Sequence, residues 1–279
     1  MSFKLSIFTT ITDPEKRGDT FRPALNCYRD LADELVIIDG SKYVGKGFDL
    51  GYEKLIVSKW PKEFEWTFIG EQFQRGYEES IGDWVIHCDI DFLFHERDFG
   101  KIRQALKDYP TAPAVSFYKW QFILPDRYNL KSRLLIAVNK AAFGNRIKFN
   151  GGGDLCQPTL DGKDLNIDEM PQAGVPFYNY EKLTKNIDQI IDDVGRMDRA
   201  YQKHFGTWLY SEDGTSESAY DGWLEMMVGR AQKPSEHIPL EKHPKYIQKT
   251  IDNLTPDMWG YSGFSHIGET DYVKSRMRG

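Results

Sequence analysis

Two carboxylates separated by one residue, Asp89 and Asp91, stand in the stretch His87-Cys88-Asp89-Ile90-Asp91, directly after an apolar run. Strand alternation predicts that both side chains leave on one side, roughly 7 Å apart along the chain. Like charges so close repel unless a proton or a cation intervenes. A hard divalent ion, Mg²⁺ or Mn²⁺, suits such oxygen ligands and commonly joins one or two carboxylates to a substrate's phosphates. Spacing alone is a weak signal, since about two Asp-x-Asp pairs are expected by chance in a chain this rich in aspartate. Position strengthens it, because the C-terminal end of a parallel strand is where open α/β sheets bind ligands. Strand-end solvation or a turn cap is the competing role.

Other candidates carry weaker signals. His95, His237 and His243 lack the helical spacing of a zinc pair, and nothing selects His243 or His266 to complete a metal shell. Cys88 alternates away from the carboxylates and fits a buried small hydrophobe better than a nucleophile. Gly45-Lys46-Gly47 lacks the full phosphate-loop pattern. Trp208, Tyr210, Tyr220, Trp223, Trp259 and Tyr261 offer flat surfaces for sugar rings, though ordinary packing accounts for them equally well.

The elements that would position these residues alternate. Lys4–Ile11 and Glu34–Ile38 are short apolar strands, and Lys54–Ser58 is a third. Asp19 or Thr20 caps a helix with Phe21, Leu25, Tyr28 and Leu31 inward. Thr67 caps another that runs to about Ser80, with Ile69, Phe73, Tyr77 and Ile81 inward. Asp83–Phe94 enters the next strand. Strands separated by helix-length segments imply βαβ units and a mostly parallel sheet. Further on, Ala114–Leu124 and Ser132–Val138 are predicted as longer strands. A helical stripe from Tyr180 to Phe205 carries Leu183, Ile187, Ile190, Ile191, Val194, Met197 and Tyr201, and its ordinary meaning is core packing. The last seventy residues are irregular, with short helices such as Ser218–Ala231.

Composition limits what such a chain does. Its 279 residues are 40% hydrophobic, which excludes disorder, and three widely spaced cysteines exclude a disulfide scaffold. No apolar stretch approaches the ~20 residues that span a bilayer, and no signal-peptide layout opens the chain. A reduced, cytoplasmic setting is therefore expected. Acids outnumber bases by 42 to 36, a net charge of −6, which argues against DNA or an anionic membrane as a default partner.

The run from Gly76 to Trp84, followed by Val85-Ile86-His87-Cys88-Asp89-Ile90-Asp91, resembles family-2-type glycosyltransferases of the GT-A fold. In that family a helix ends in a Gly-Asp-aromatic turn and an apolar strand delivers the DxD motif. Ser6-Ile7-Phe8-Thr9-Thr10 and Leu35-Val36-Ile37-Ile38-Asp39-Gly40-Ser41 are similar to its first two strands. The resemblance covers residues 4–100 well and runs more loosely to about 205, through Val175-Pro176-Phe177-Tyr178-Asn179-Tyr180. It implies an α/β, Rossmann-like GT-A domain over residues 1–205. Residues 206–279 are then a C-terminal extension packing on the same domain, a candidate acceptor side.

The same resemblance implies roles. Thr9 and Thr10 would line the base and ribose pocket, and Asp39 would accept a hydrogen bond from a base N–H. Asp89 would contact the ribose or the metal, and Asp91 and Asn179 would serve the Mn²⁺ or Mg²⁺ that holds the donor diphosphate. The family moves a sugar from a nucleotide-sugar to a hydroxyl of a glycan or other acceptor, usually with inversion. A general base is needed, and Asp154, after three glycines, is the first choice, with Asp213 and Asp221 as alternatives. A turn aspartate is an equal reading of Asp154. Two departures stand out: Gln74 replaces the Asn of an Asn-x-Gly, and Asn179 stands where relatives have His. These leave open a weaker or metal-free site, and with it a binding module without turnover. A nucleotidyltransferase is the other alternative, although Thr12–Asp19 lacks the repeated glycines it would need.

Overall fold

The computed structural model describes residues 3–42, 54–61, 63–151, 157–231 and 236–261. Strands β1 (Leu5–Ile11), β2 (Glu34–Asp39), β3 (Lys54–Val57) and β4 (Trp84–Cys88) lie parallel in the order β3-β2-β1-β4. Helix α1 (Phe21–Leu31) links β1 to β2, and α2 (Trp66–Glu79) links β3 to β4. β1, β2 and β4 are mostly apolar because both faces are covered, whereas β3, at the sheet edge, leaves Lys54 and Val57 exposed. Leu5, Ile7, Leu35 and Ile37 pack with α1, whereas Phe8, Val36 and Ile38 pack with α2. The α2 backbone comes so close to β1 that a β-carbon at Gly76 would stand 2.4 Å from Phe8 Cδ2, so glycine is needed there.

The chain continues through β5 (Phe92–Leu93), α3 (Phe99–Asp108), the long hairpin β6 (Ala114–Leu124) and β7 (Arg127–Asn139), and α4 (Lys140–Phe143). A small side sheet follows, made of β8 (Ile147–Phe149), β9 (Pro158–Leu160) and β10 (Lys163–Asp164). Strand β11 (Gln172–Asn179) returns to the main sheet, and α5 (Ile187–Phe205), α6 (Ser216–Ala231), β12 (Glu236–His237) and α7 (Lys245–Asp252) complete the described elements. The main sheet has the order β3-β2-β1-β4-β7-β6-β11-β5, with β12 on β7. Only β7 and β5 oppose the direction shared by its other strands. The fold is therefore the expected class, a mostly parallel central sheet flanked by helices.

Several boundaries differ from expectation for local reasons. Helix α5 starts at Ile187 rather than near Tyr180, because Asn186 and Gln189 form a reciprocal capping box. Strand β7 begins at Arg127 instead of Ser132, extended by its pairing with β6. Ile81, expected inward, is exposed because α2 ends at Glu79. The strand expected over Asp83–Phe94 stops at Cys88, and a turn through Ile90 and Asp91 separates β4 from β5. Beyond residue 205, Ala219, Trp223, Leu224 and Met227 of α6 pack on Ile190 and Val194 of α5. Among the described residues no helix is long and apolar enough to cross a membrane.

Candidate active site

A cleft of about 310 Å³ opens beyond the C-terminal ends of β1, β4 and β11, with Thr10, Asp89, Asp91 and Asn179 in its wall. The two aspartates meet there through the turn rather than through strand alternation. Phe92 N donates to Asp89 O at 3.0 Å, which closes the turn. The short β5 then pairs antiparallel with β11, setting Asn179 opposite Phe92. Tyr180 N donates to Asp91 O at 3.0 Å, and Asn179 Nδ2 donates to Asp91 Oδ2 at 3.0 Å. From α1, the buried Tyr28 hydroxyl lies 2.6 Å from both Asp89 O and Phe92 O. Tyr28→Phe is expected to leave these carbonyls short of a donor. Urea unfolding should then show a loss of about 1–3 kcal/mol.

The electrostatics of this corner favour a proton or a cation. Burial, then Asp89, then Glu181 push the Asp91 carboxyl up to about 7, against the pull of Lys119. Asn179 is buried and its Oδ1 has no hydrogen-bond partner. Two carboxylates and an unspent amide oxygen fit Mg²⁺ or Mn²⁺, which complete their shells with water and substrate oxygens. Among the described residues there is no group of three or more His, Cys, Asp or Glu side chains arranged to hold a metal.

The other expected residues are placed as follows. Thr10 lines the cleft, whereas Thr9, its neighbour on the opposite face of β1, is fully buried with an unpartnered Oγ1. Asp39 is also fully buried. Its Oδ1 accepts from Ser41 N at 2.8 Å, and its Oδ2 has no partner. Next to it the Trp60 ring, which lines the cleft, occupies the space a β-carbon on Gly40 would need. Asp154 and His266 lie outside the described residues. Asp213 is exposed and accepts from Thr215 in a turn, and neither it nor Asp221 lines the cleft. His243 is buried against Tyr180, 2.7 Å from its hydroxyl, with burial pushing its pKa down to about 4. Gln74 is spent on Phe149 N and Glu78.

The opposite wall of the cleft is basic, and the sequence reading missed it. Arg17, Lys182, Lys185 and Arg196 surround Asp193 of α5 at 2.6–3.4 Å. Burial would raise the Asp193 carboxyl, but Lys182, Arg17, Lys185 and Arg196 outweigh it and hold the carboxyl far below its usual range. The loop after β1 is tied to this helix: Lys185 donates to Arg17 O and Asp19 Oδ1, and Gln189 Nε2 donates to Lys16 O at 2.9 Å. Lys119 of β6 also lines the cleft. The available signal was Asp193 itself, one residue before Val194 and three after Ile190, on the inward stripe of α5.

Fold and cleft together define a Rossmann-like α/β protein with a cleft at the C-terminal edge of its sheet. No family model matches the sequence, and no curated protein matches it. Among solved structures the chain is similar to a mannosyltransferase from Pyrobaculum calidifontis in complex with GDP-Man and Mn²⁺. The two share 12% identity over 84% of this chain and 77% of that one, at a TM-score of 0.43. It is also similar to residues 1–349 of S. aureus TarS, with 11% identity over 80% and 78% of the two chains and a TM-score of 0.41. A glucosyl-3-phosphoglycerate synthase from Mycobacterium tuberculosis, in complex with Mn²⁺, UDP and phosphoglyceric acid, shares 14% identity over 43% of each chain, at a TM-score of 0.30. Likeness this distant assigns no chemistry to this chain.

Proposed function

We propose that the protein is a glycosyltransferase that moves a sugar from a nucleotide-diphosphate sugar to an acceptor hydroxyl, with inversion. One observation carries this reading: a carboxylate pair poised for a cation and a group of fixed cations face one cleft at the end of a parallel sheet. Asp91, Asp89 and Asn179 would hold Mn²⁺ or Mg²⁺. A bound divalent ion supplies neutralisation of the negative charge that grows on the departing diphosphate. Thr10 and Asp89 then flank the donor's ribose, with Thr9 and Asp39 behind them toward the base.

The acceptor, a glycan or another hydroxyl compound, has a second hollow available. It encloses about 760 Å³, shares Trp66 with the cleft and is lined by Gln74, Arg75, Lys148, Gly151 and His204. Asp154 follows Gly151 by three residues, and in this reading its carboxylate removes the hydroxyl proton as the oxygen attacks. Attack from the side opposite the leaving diphosphate inverts the anomeric carbon. Cys27 and Cys88 are free thiols, which suits the cytoplasm.

A thermal-shift screen of nucleoside diphosphates and nucleotide-sugars, with and without Mn²⁺, tests the reading. One base should stabilise the fold selectively, by about 2.7 kcal/mol at a ligand concentration a hundred times Kd, and more strongly with Mn²⁺. No shift with any nucleotide would refute it.

A further inference from the structure

The basic wall has more charge than its carboxylates neutralise. Arg17, Lys182, Lys185 and Arg196 line the cleft and share two acids, Asp19 and Asp193. Glu181, 3.6 Å from Lys182, also faces the Asp89–Asp91 corner, where it raises the Asp91 carboxyl. Lys185 is saturated: its ammonium meets Arg17 O, Asp19 Oδ1 and, at 3.0 Å, Asp193 Oδ2, which accounts for its three donors.

The two arginines are not saturated. A guanidinium carries five N–H donors in a fork that matches phosphate oxygens. Among the described residues the Arg17 guanidinium meets Asp193, 3.2 Å from Nη2, and Asp19, 3.5 Å from Nε. That Nε is buried and makes no hydrogen bond. Arg196 donates to Asp193 through Nη2 at 2.6 Å and otherwise lies over the Phe64 ring at 5.8 Å. Burial first and Arg17 second lower the proton affinity of Arg196, against the pull of Asp193 and Asp19. The side chains of Arg17, Lys182 and Arg196 remain 25%, 13% and 35% exposed, so a ligand in the cleft can reach them.

We infer that Arg17, Lys182 and Arg196 form a subsite for a phosphate-type dianion, separate from the Asp89–Asp91 corner and independent of a divalent ion. The inference deepens the transferase reading only in what delivers the dianion. A donor's diphosphate and a phosphate carried by the acceptor share the chemistry.

Pyrophosphate titrated into the intact protein in EDTA, followed by calorimetry, tests this subsite. Wild-type protein should bind it. Arg196→Gln should weaken binding roughly tenfold, the loss of one charge-assisted contact, and Arg196→Lys should weaken it less. Arg17→Gln combined with Arg196→Gln should abolish binding; if that pair does not melt cooperatively, Arg196→Gln alone decides. No binding in EDTA, or unchanged affinity in Arg196→Gln, would overturn the inference. A second titration, glucose 6-phosphate with and without saturating nucleoside diphosphate, separates the sources. Competition assigns the subsite to the donor, and simultaneous binding assigns it to a phosphorylated acceptor. Pyrophosphate binding without nucleotide binding leaves the subsite standing and removes the transferase reading.

Discussion

Asp91→Asn is expected to abolish ion-stimulated turnover of a nucleotide-sugar, by roughly 10²–10³-fold, while the chain still folds. The substitution keeps shape and volume, and the Asn179 Nδ2 donor still faces an oxygen. What it removes is the charge that burial, Asp89 and Glu181 already oppose. The sign of the pH effect follows. The folded carboxyl titrates at about 7, above its unfolded value of ~3.9, so folding takes up a proton between those limits. Its contribution to stability is fully present below pH ~4 and is lost as pH rises through about 7. Urea unfolding in EDTA at pH 5 and pH 8 should therefore show this loss in the wild type and not in Asp91→Asn. Turnover that survives the substitution would remove Asp91 from the ion site.

Asp193→Ala should be the most destabilising single change in the cleft, by about 3–5 kcal/mol, because it leaves clustered cations without their shared anion. Arg17, Lys182, Lys185 and Arg196 all lie within salt-bridge distance of this one buried carboxylate. At this chain length the loss corresponds to a Tm lower by roughly 10 °C. Here the folded pKa is depressed, so the stabilisation is present above pH ~4 and is lost as pH falls through the folded value. Calorimetric melts at pH 7 and at pH 3 should show the gap between wild type and variant narrowing in acid. An equal gap at both pH values would mean that packing, rather than charge, sets the cost.

The parallel half of the sheet was legible because β1, β2 and β4 are short β-branched runs buried on both faces, separated by amphipathic segments of helical length. The Asp89–Asp91 pair was legible as chemistry but not as geometry. A strand read straight through to Phe94 hides the turn, because the β5–β11 pairing that forces it joins residues some ninety positions apart. The basic wall stayed hidden for a similar reason. Arg17 sits in a polar loop and Arg196 on a helix whose periodicity signals packing, and only folding brings both to Asp193. The full burial of Asp39, an expected donor residue, was likewise hidden, since the sequence does not show that Trp60 packs on Gly40 beside it.

Product analysis separates the proposed chemistry from its nearest rival. The protein is incubated with Mn²⁺ and the nucleotide-sugar that stabilises it, across a panel of plain and phosphorylated hydroxyl acceptors, and the phosphate products are resolved. Sugar transfer requires release of a nucleoside diphosphate, with the sugar recovered on an acceptor or on water. Release of pyrophosphate in a parallel incubation with a nucleoside triphosphate and a sugar phosphate would instead mark a nucleotidyltransferase, and no product from any combination would mark a binding protein. Either of those results would contradict the assignment of glycosyl transfer to this cleft.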